Sequence, residues 1–219
     1  MKKLLVVLAM LAAVNASGQW VRVQSFPDNQ VYKVLNYDDN ILVGSSRIYK
    51  STDMGQSWTT FYQGTQYGIN ALSIVDGNVW ASNIYQNVYT TNNGLNWTTT
   101  NLQKYVYDFA SYNGRIFAGT ESWRCYYTEN GGINWTQCQD IWEDVMCFKN
   151  IFGILLAGTS QGLYYTTNSG ANWIMAQPSS LQVHDIAGGD KLFAGTVFSG
   201  VWSSNNYGTS WTQTSLNNV

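Results

Sequence analysis

The stretch TTNSGANW, residues 166–173, sets a run of small polar residues before a tryptophan that stands three positions after a glycine. The pattern recurs as STDMGQSW at 51–58, TTNNGLNW at 90–97, TENGGINW at 128–135 and SNNYGTSW at 204–211. All five copies fit S/T-x-D/N-x-G-x-x-W. The four fixed positions hold Ser51, Asp53, Gly55 and Trp58; Thr90, Asn92, Gly94 and Trp97; Thr128, Asn130, Gly132 and Trp135; Thr166, Asn168, Gly170 and Trp173; and Ser204, Asn206, Gly208 and Trp211.

These residue types predict a tight turn that delivers a tryptophan into a β-strand. An Asp or Asn side chain accepts hydrogen bonds from nearby backbone amides and so folds the turn. The glycine supplies a positive φ, which other residues resist. The tryptophan then enters the next strand, where it fills the space between neighbouring sheets and buries about 200 Å².

The five tryptophans of the pattern are separated by 39, 38, 38 and 38 residues. Trp20 lies 38 residues before Trp58, in the same register but without the preceding turn. A period near 40 residues across 19–219 is typical of a repeat architecture.

Each repeat contains four short strand-like segments separated by turns rich in Gly and Asn, and none has helical periodicity. Four strands per repeat predict an all-β fold, a β-propeller with five visible blades. A solenoid of β-turns is the competing repeat fold, although its repeats are usually shorter. The first strands of the five repeats are predicted at 31–35, 69–74, 106–110, 145–148 and 183–187.

The repeated turn resembles the Asp-box, or bacterial neuraminidase repeat, of sialidase-like propellers. The resemblance covers about 200 residues and all five turns. It implies that the boxes are structural and lie away from the ligand-binding face. Asp53 carries the acidic residue of the motif, whereas the other four copies have Asn, which keeps the hydrogen bonding but not the charge.

Two arrangements of the propeller ring fit the sequence. In one, five blades close on themselves and Val21 to Gln24 adds an edge strand. In the other, the five repeats are part of a ring of six to seven blades, in which a sixth blade is completed by the N-terminal strand. An unclosed ring would expose strand edges.

Residues 1–18 are predicted to be a cleaved secretory signal. Lys2 and Lys3 precede an apolar run at 4–14, and small residues follow it. No later apolar run is long enough to span a membrane. Residues 19–219 are therefore expected to form a secreted propeller domain, extracellular, periplasmic or at the cell surface, that is not held in a membrane.

The composition excludes several classes of function. Aromatic residues make up 15% of the chain and charged residues 11%, which is unlike a disordered protein. The net charge is −2, and no basic stripe suits a nucleic acid. No nucleotide-binding or catalytic metal motif is present, so we expect neither a cofactor nor a metal.

Three cysteines leave two interpretations open. Cys125 and Cys138 flank the turn at 128–135, where they would face each other across a hairpin, and export permits a disulfide. Alternatively these two and Cys147 are small half-buried apolar residues. The spacing matches no zinc pattern.

The loops that enter first strands and join second to third strands form the predicted ligand-binding face. Their aromatic and charged residues suit stacking on a sugar ring or on apolar side chains of a protein partner. The alternative is that many of these aromatic residues only pack between blades. The predicted ligand-binding residues are Trp123, Arg124, Trp142, Glu143, Tyr67, Tyr85 and Tyr105.

Catalysis has only weak candidates. Asp108 and Asp185 align in two first strands and would form a carboxylate pair across the channel, as paired carboxylates do in glycosidases. His184, the only histidine, fits a structural hydrogen-bonding role better than a catalytic one. The sialidase-like enzymes that the repeats resemble use three arginines and an Arg-Ile-Pro motif, and this set is not found here.

We therefore predict a secreted, non-catalytic propeller that binds a glycan or a protein through its aromatic loops. The alternatives are a glycoside hydrolase that uses paired carboxylates and a protein-assembly scaffold similar to the propellers that assemble photosynthetic complexes.

Overall fold

The computed structural model describes residue 23 and residues 26–63, 67–85, 88–92, 94–122 and 124–216, with the backbone alone at 177 and 178. The predicted signal at 1–18, most of the predicted N-terminal strand and Trp123 lie outside these residues. The chain divides into two compact units, residues 1–69 and 70–219. No helix that could cross a membrane occurs in the described ranges.

Within the described residues, twenty β-strands form five antiparallel four-stranded sheets, here called blades 1 to 5, and each blade pairs its strands in chain order. This confirms the predicted all-β propeller class. Blade 1 contains β1 (Lys33–Tyr37), β2 (Asn40–Gly44), β3 (Ile48–Ser51) and β4 (Thr59–Tyr62); blade 2 contains β5 (Ile69–Val75), β6 (Asn78–Asn83), β7 (Val88–Thr91) and β8 (Thr98–Thr99); blade 3 contains β9 (Val106–Tyr112), β10 (Arg115–Thr120), β11 (Arg124–Thr128) and β12 (Thr136–Gln137); blade 4 contains β13 (Val145–Ile151), β14 (Ile154–Thr159), β15 (Gly162–Thr166) and β16 (Ile174–Ser179); blade 5 contains β17 (Val183–Gly188), β18 (Leu192–Thr196), β19 (Val201–Ser204) and β20 (Thr212–Gln213).

Second strand β14 has apolar residues at successive positions because both of its faces are covered. In β14, Leu155 and Ala157 pack into the core shared with blade 3, while Leu156 packs into the core shared with blade 5. Side chains alternate between the faces of a strand, so a strand between two neighbours needs apolar residues at successive positions. This explains why the second strands do not show the apolar–polar alternation of a half-exposed sheet.

In the unit 70–219, a separate core fills each junction between consecutive blades. One core joins blades 2 and 3, a second joins blades 3 and 4, and a third joins blades 4 and 5. First strand β13 lies between first strands β9 and β17. The loops before the first strands of blades 3, 4 and 5 are thereby brought to one end of the unit.

The repeated turn is closed by the same hydrogen bonds in four copies. In blade 3, Thr128 Oγ1 accepts the amide of Gly132 at 3.0 Å and donates to Asn130 Oδ1 at 2.9 Å. Asn130 Oδ1 also accepts the amide of Asn134 at 2.9 Å. The turns that begin at Ser51, Thr166 and Ser204 repeat this arrangement.

The turn of blade 2 corrects the sequence alignment. The sequence pattern predicts that Thr90 is the first residue of this turn, whose hydroxyl accepts the glycine amide. In the structure the Gly94 amide donates instead to Thr91 Oγ1, at 3.0 Å. Thr91 pairs with Val79, as Thr128 pairs with Ile116 in blade 3. This turn is one residue shorter than the others, and the neighbouring threonines concealed the deletion.

The turn glycine is fixed by packing as well as by φ. Gly170 has φ 76°, and a Cβ there would lie 2.7 Å from Cε1 of Phe117 in the preceding blade. Trp173 packs edge-on against the same Phe117 ring, with 5.9 Å between centroids. The tryptophan thus fills the space between blades, and the glycine lets the turn approach the preceding sheet.

The unit 1–69 contains blade 1, in which Trp58 packs edge-on against Phe26 at 5.1 Å. Asp28 accepts hydrogen bonds from the hydroxyls of Ser45 and Ser46, which hold the pKa of its carboxyl well below the usual range. A cavity of about 590 Å³ opens in this unit, and Gly55 and Trp58 are among its lining residues.

Packing at the turn glycine is tested by comparing Gly170→Ala with Gly114→Ala. Both glycines have φ 76°, but a Cβ on Gly114 would meet nothing within 4 Å. Gly114→Ala should therefore lose only about 1–2 kcal/mol, the cost of a left-handed non-glycine residue. Gly170→Ala should lose a further ~1–3 kcal/mol because its methyl group overpacks against Phe117. Urea unfolding measures the difference, and equal losses would contradict the packing role.

Asp53 is expected to make the stability of the chain depend on acid pH. Hydrogen bonds from Ser57 and Ser51 lower its pKa from 3.8 to about 2. The ionised carboxylate therefore stabilises the fold fully above pH 3.8, and this contribution disappears as the pH falls towards 2. Asp53→Asn, which copies the other four turns, should unfold with a weaker pH dependence between 4 and 2, as measured by urea unfolding at stepped pH. An unchanged pH profile in the variant would contradict this role.

Candidate ligand-binding surface

Trp142 is an exposed aromatic side chain whose ring is held by a cation. It lies between β12 and β13 and is 59% exposed. The guanidinium carbon of Arg124 lies 4.0 Å from the centroid of the ring. The cation–π contact is worth about 0.5–1 kcal/mol at an exposed site. It fixes the ring while leaving a large part of it open to solvent.

The guanidinium group of Arg124 is held in place by the side chain of Gln137. With the Gln137 amide oriented so that its oxygen faces the guanidinium, that oxygen accepts hydrogen bonds from Arg124 Nε and Nη1. Cys125 follows Arg124 in the chain and Cys138 follows Gln137, and these two cysteines form a disulfide. The amide of Cys138 also donates to the carbonyl of Cys125 at 2.9 Å. The hairpin alternative for the cysteines is therefore the correct one, while the third cysteine, Cys147, is buried in the core between blades 4 and 5.

Glu143 links the Trp142 loop to blade 4. Its Oε2 accepts the backbone amide of Trp142 at 2.9 Å. Burial raises the pKa of Tyr164 to about 12, and the charge of Glu143 and a hydrogen bond between the two side chains add to the shift. The hydrogen bond between Tyr164 and Glu143 thus connects the loop to β15.

Two tyrosines and two carboxylates extend the surface along blade 3. The rings of Tyr105 and Tyr107 meet edge-on, with 5.1 Å between their centroids. Burial raises the pKa of Tyr107 to about 12, and the charges of Glu121 and Asp144 raise it further. The amide of Glu121 donates to the carbonyl of Tyr105 at 3.0 Å.

Asp144 connects the tyrosine pair to the Arg124–Trp142 pair. Its charge acts on Tyr107, and its backbone forms an isolated parallel β-bridge with Arg124. We call the combined set the Trp142 surface; it consists of Tyr105, Tyr107, Glu121, Arg124, Trp142, Glu143 and Asp144. Four of its members are predicted ligand-binding residues, namely Tyr105, Arg124, Trp142 and Glu143.

Two of the remaining predicted residues, Tyr67 and Tyr85, are described by the structure. Tyr67 belongs to the unit 1–69 and is partly exposed. Tyr85 lies between β6 and β7 in blade 2, where its amide donates to Asn83 Oδ1 at 3.0 Å. Trp123 is outside the described residues.

The supporting side chains Gln137, Glu121 and Tyr164 are not among the predicted ligand-binding residues. Glu121 directly follows the buried run IFAGT of β10, and this position after an apolar strand is a signal that could have identified it. Gln137 and Tyr164 stand inside strands, and nothing in their spacing separates them from ordinary strand residues.

Asp108 is engaged in packing contacts between blades. Its Oδ1 accepts the Phe109 amide at 2.9 Å and the Ser73 hydroxyl at 3.1 Å. Its Oδ2 accepts the Phe148 amide of blade 4 at 2.9 Å. The carboxylate therefore joins β5, β9 and β13, which is a structural role that requires no substrate.

Asp185 and His184 lie side by side on β17 and are both exposed. Asp185 Oδ1 accepts the Ile186 amide at 2.9 Å, and a His184 ring nitrogen lies 3.4 Å from Gln182 Nε2. Over the described ranges, no three His, Cys, Asp or Glu side chains come close enough together to hold a metal ion.

No protein-family model and no curated protein sequence matches this chain. Solved structures match it at the level of the fold. The Niastella koreensis GH74 enzyme aligns with a TM-score of 0.62 and 21% identity, over 81% of this chain and 30% of that enzyme. The structure of YCF48 bound to D1 peptide aligns with a TM-score of 0.61 and 18% identity, over 83% of this chain and 67% of that protein.

A third match is the computationally designed Ika8 protein, with a TM-score of 0.70 and 9% identity over 87% of this chain and 64% of that protein. This chain thus spans less than a third of the GH74 enzyme and about two thirds of each of the other two. At these identities the matches establish a propeller fold, and the similar proteins include both a glycoside hydrolase and a peptide-bound protein.

Proposed function

We propose that this protein is a non-catalytic propeller that binds a glycan, or alternatively a protein segment, on the Trp142 surface. The observation that carries the proposal is the exposed Trp142 ring, which is fixed by Arg124 at 4.0 Å. A large exposed aromatic side chain costs solubility, and its fixed orientation removes the entropy that a partner would otherwise have to overcome.

The chemistry around Trp142 favours a sugar. The apolar face of a pyranose stacks on an indole ring, while nearby polar groups orient its hydroxyls. Glu121, Glu143 and Asp144 supply carboxylate acceptors for sugar hydroxyls. Three carboxylates also make the surface unfavourable for phosphates, so nucleic acid is an unsuitable partner.

A protein segment is the second candidate ligand. The structural neighbour YCF48 was solved with a bound D1 peptide, which indicates that propellers can bind protein partners. Exposed Trp and partly desolvated Arg side chains are typical of the residues that dominate protein interfaces. An assembly-scaffold role would use the same surface.

Two further features of the proposal concern family and location. The hydrogen-bonded turns that begin at Ser51, Thr128, Thr166 and Ser204 support membership of the Asp-box propellers, in which such turns are structural. The Cys125–Cys138 disulfide suits an oxidising compartment and so supports secretion after removal of residues 1–18.

The binding proposal is tested by a glycan-array screen of the wild-type protein beside Trp142→Ala. The substitution removes the stacking ring without leaving a buried cavity, so the variant should fold normally and bind about tenfold or more weakly, ~1.4 kcal/mol. Phe152→Ala is the matched control, because Phe152 is another exposed aromatic residue but lies in the turn between β13 and β14.

Binding that is lost in Trp142→Ala and kept in Phe152→Ala would support the glycan function. A blank array from folded wild-type protein would contradict it and favour the peptide alternative. Binding that both variants retain would exclude the Trp142 surface as the site.

The hydrolase alternative is tested by comparing Asp108→Asn with Asp185→Asn. In Asp108→Asn, an amide replaces an oxygen that accepts a backbone N–H, so the free energy of unfolding should fall by about 1–3 kcal/mol. Asp185→Asn keeps its one hydrogen bond to Ile186 and should leave stability nearly unchanged. Urea unfolding measures both. Hydrolysis of chromogenic glycosides by the wild type, lost in either variant, would instead establish an enzyme.

A further inference from the structure

Two contacts recur at the junctions between blades 2 and 5, the first at all three junctions and the second at two of them. In the first contact, the turn glycine of each blade lies against a large second-strand residue of the preceding blade. A Cβ on Gly132 would lie 3.2 Å from the Trp80 ring, and a Cβ on Gly208 would lie 2.5 Å from Cδ2 of Leu156. The residues that receive this contact, Trp80, Phe117 and Leu156, are at most 1% exposed.

The second contact joins a second-strand glycine to the valine that begins the next first strand. A Cβ on Gly119 would lie 2.6 Å from the carbonyl oxygen of Val145. A Cβ on Gly158 would lie 2.8 Å from Cγ1 of Val183. The glycine is therefore required at the junction of blade 3 with blade 4 and at that of blade 4 with blade 5, whereas Ser82 holds this position in blade 2.

Blade 5 has a large residue and a glycine at the same two positions, but the described residues of the unit 70–219 leave its outer face uncovered. Phe193 is equivalent to Phe117 and Leu156 in the repeat, because the residue before it, Leu192, pairs with the turn hydroxyl residue Ser204. The Phe193 side chain is nevertheless 40% exposed. Gly195 holds the position of Gly119 and Gly158, and a Cβ there would meet nothing within 4 Å. Glycine in a strand interior destabilises the strand, so its presence at 195 indicates a contact that the described chain does not supply.

Asp185, on the outer face of blade 5, is a third residue whose equivalent in blade 3 contacts the next blade. Asp108, at the equivalent position, binds the amide of its own Phe109 and that of Phe148 in the next blade. Asp185 binds the amide of its own Ile186 only, within the described ranges. Its second carboxylate oxygen is thus in position to accept an amide from a further first strand.

Blade 1 carries the complementary set. Val31 aligns with Val145 and Val183, Val34 with Phe148, and Gly55 and Trp58 with Gly170 and Trp173. Val31, Val34, Gly55 and Trp58 all line the 590 Å³ cavity of the unit 1–69, and Val31 is 51% exposed. Asp28 also lines this cavity, and the ammonium group of Lys191, which lies 5.5 Å from the Phe193 ring, carries the opposite charge.

We propose that the outer face of blade 5 docks into the blade 1 cavity of a second copy of this chain. Gly195 meets Val31, Asp185 accepts the amide of Val34, and Phe193 packs on Gly55 and Trp58 of that copy. Such a head-to-tail contact is heterologous and builds a closed ring or an open chain of subunits. The proposal is independent of ligand binding on the Trp142 surface.

Sedimentation velocity over a concentration series of the purified full chain tests the proposal. The wild type should form dimers or larger species as the concentration rises. Gly195→Val should stay monomeric, because its side chain occupies the space of Val31, and it should unfold no earlier than the wild type, because nothing lies within 4 Å of the new Cβ. Phe193→Asp should also be monomeric.

Two controls separate assembly from folding. Gly158→Val places the same side chain at the same repeat position where Cys147 and Val183 leave no room, so it should lower the unfolding midpoint. Phe152→Asp changes an exposed aromatic residue that contacts Tyr207 between blades 4 and 5 and not the outer face of blade 5, and it should leave association unchanged. A wild type that is monomeric up to its solubility limit, or a Gly195→Val variant that associates like the wild type, would overturn the proposal.

Discussion

The packing of each turn glycine against the preceding sheet is the contact on which the unit 70–219 depends. The turn of one blade covers the second strand of the blade before it, and Phe117 with Gly170 and Trp173 is the clearest case. A single blade cannot bury both faces of its second strand. Consecutive apolar residues in that strand are therefore stable only when a neighbouring blade lies on each side.

This dependence explains how the polar runs of the sequence serve its core. A hydroxyl and an Asn or Asp oxygen satisfy the amides of the turn, so the chain can reverse close to the neighbouring sheet without leaving backbone donors unpaired. Only a residue without a Cβ fits at the closest approach. The tryptophan that follows then fills the remaining volume, which is why Trp135, Trp173 and Trp211 pack in three successive junctions.

The fold could be predicted from the sequence because its signals are periodic. Constant tryptophan spacing and the repeated turn identify the blades, and the structure confirms the propeller class. The assignment of Thr90 was wrong because a one-residue deletion beside a second threonine leaves the spacing of Gly94 and Trp97 intact. Periodic patterns thus locate an element reliably, but they do not determine which of two neighbouring side chains faces inward.

The candidate site was only partly predictable, because its residues are the ones that break the repeat. Arg124, Trp142 and Glu143 stand out as charged or aromatic residues in loops, and the structure brings them together. Gln137 and Tyr164 were missed because they support these residues from within regular strands. Asp108, only a weak catalytic candidate in the sequence, illustrates the opposite case: it lies on an inner strand, and three hydrogen bonds across three strands give it a structural role. A departure from the repeat suggests function only when the other contacts of that residue leave it chemically available, and for this reason the proposed binding site is centred on the exposed ring of Trp142.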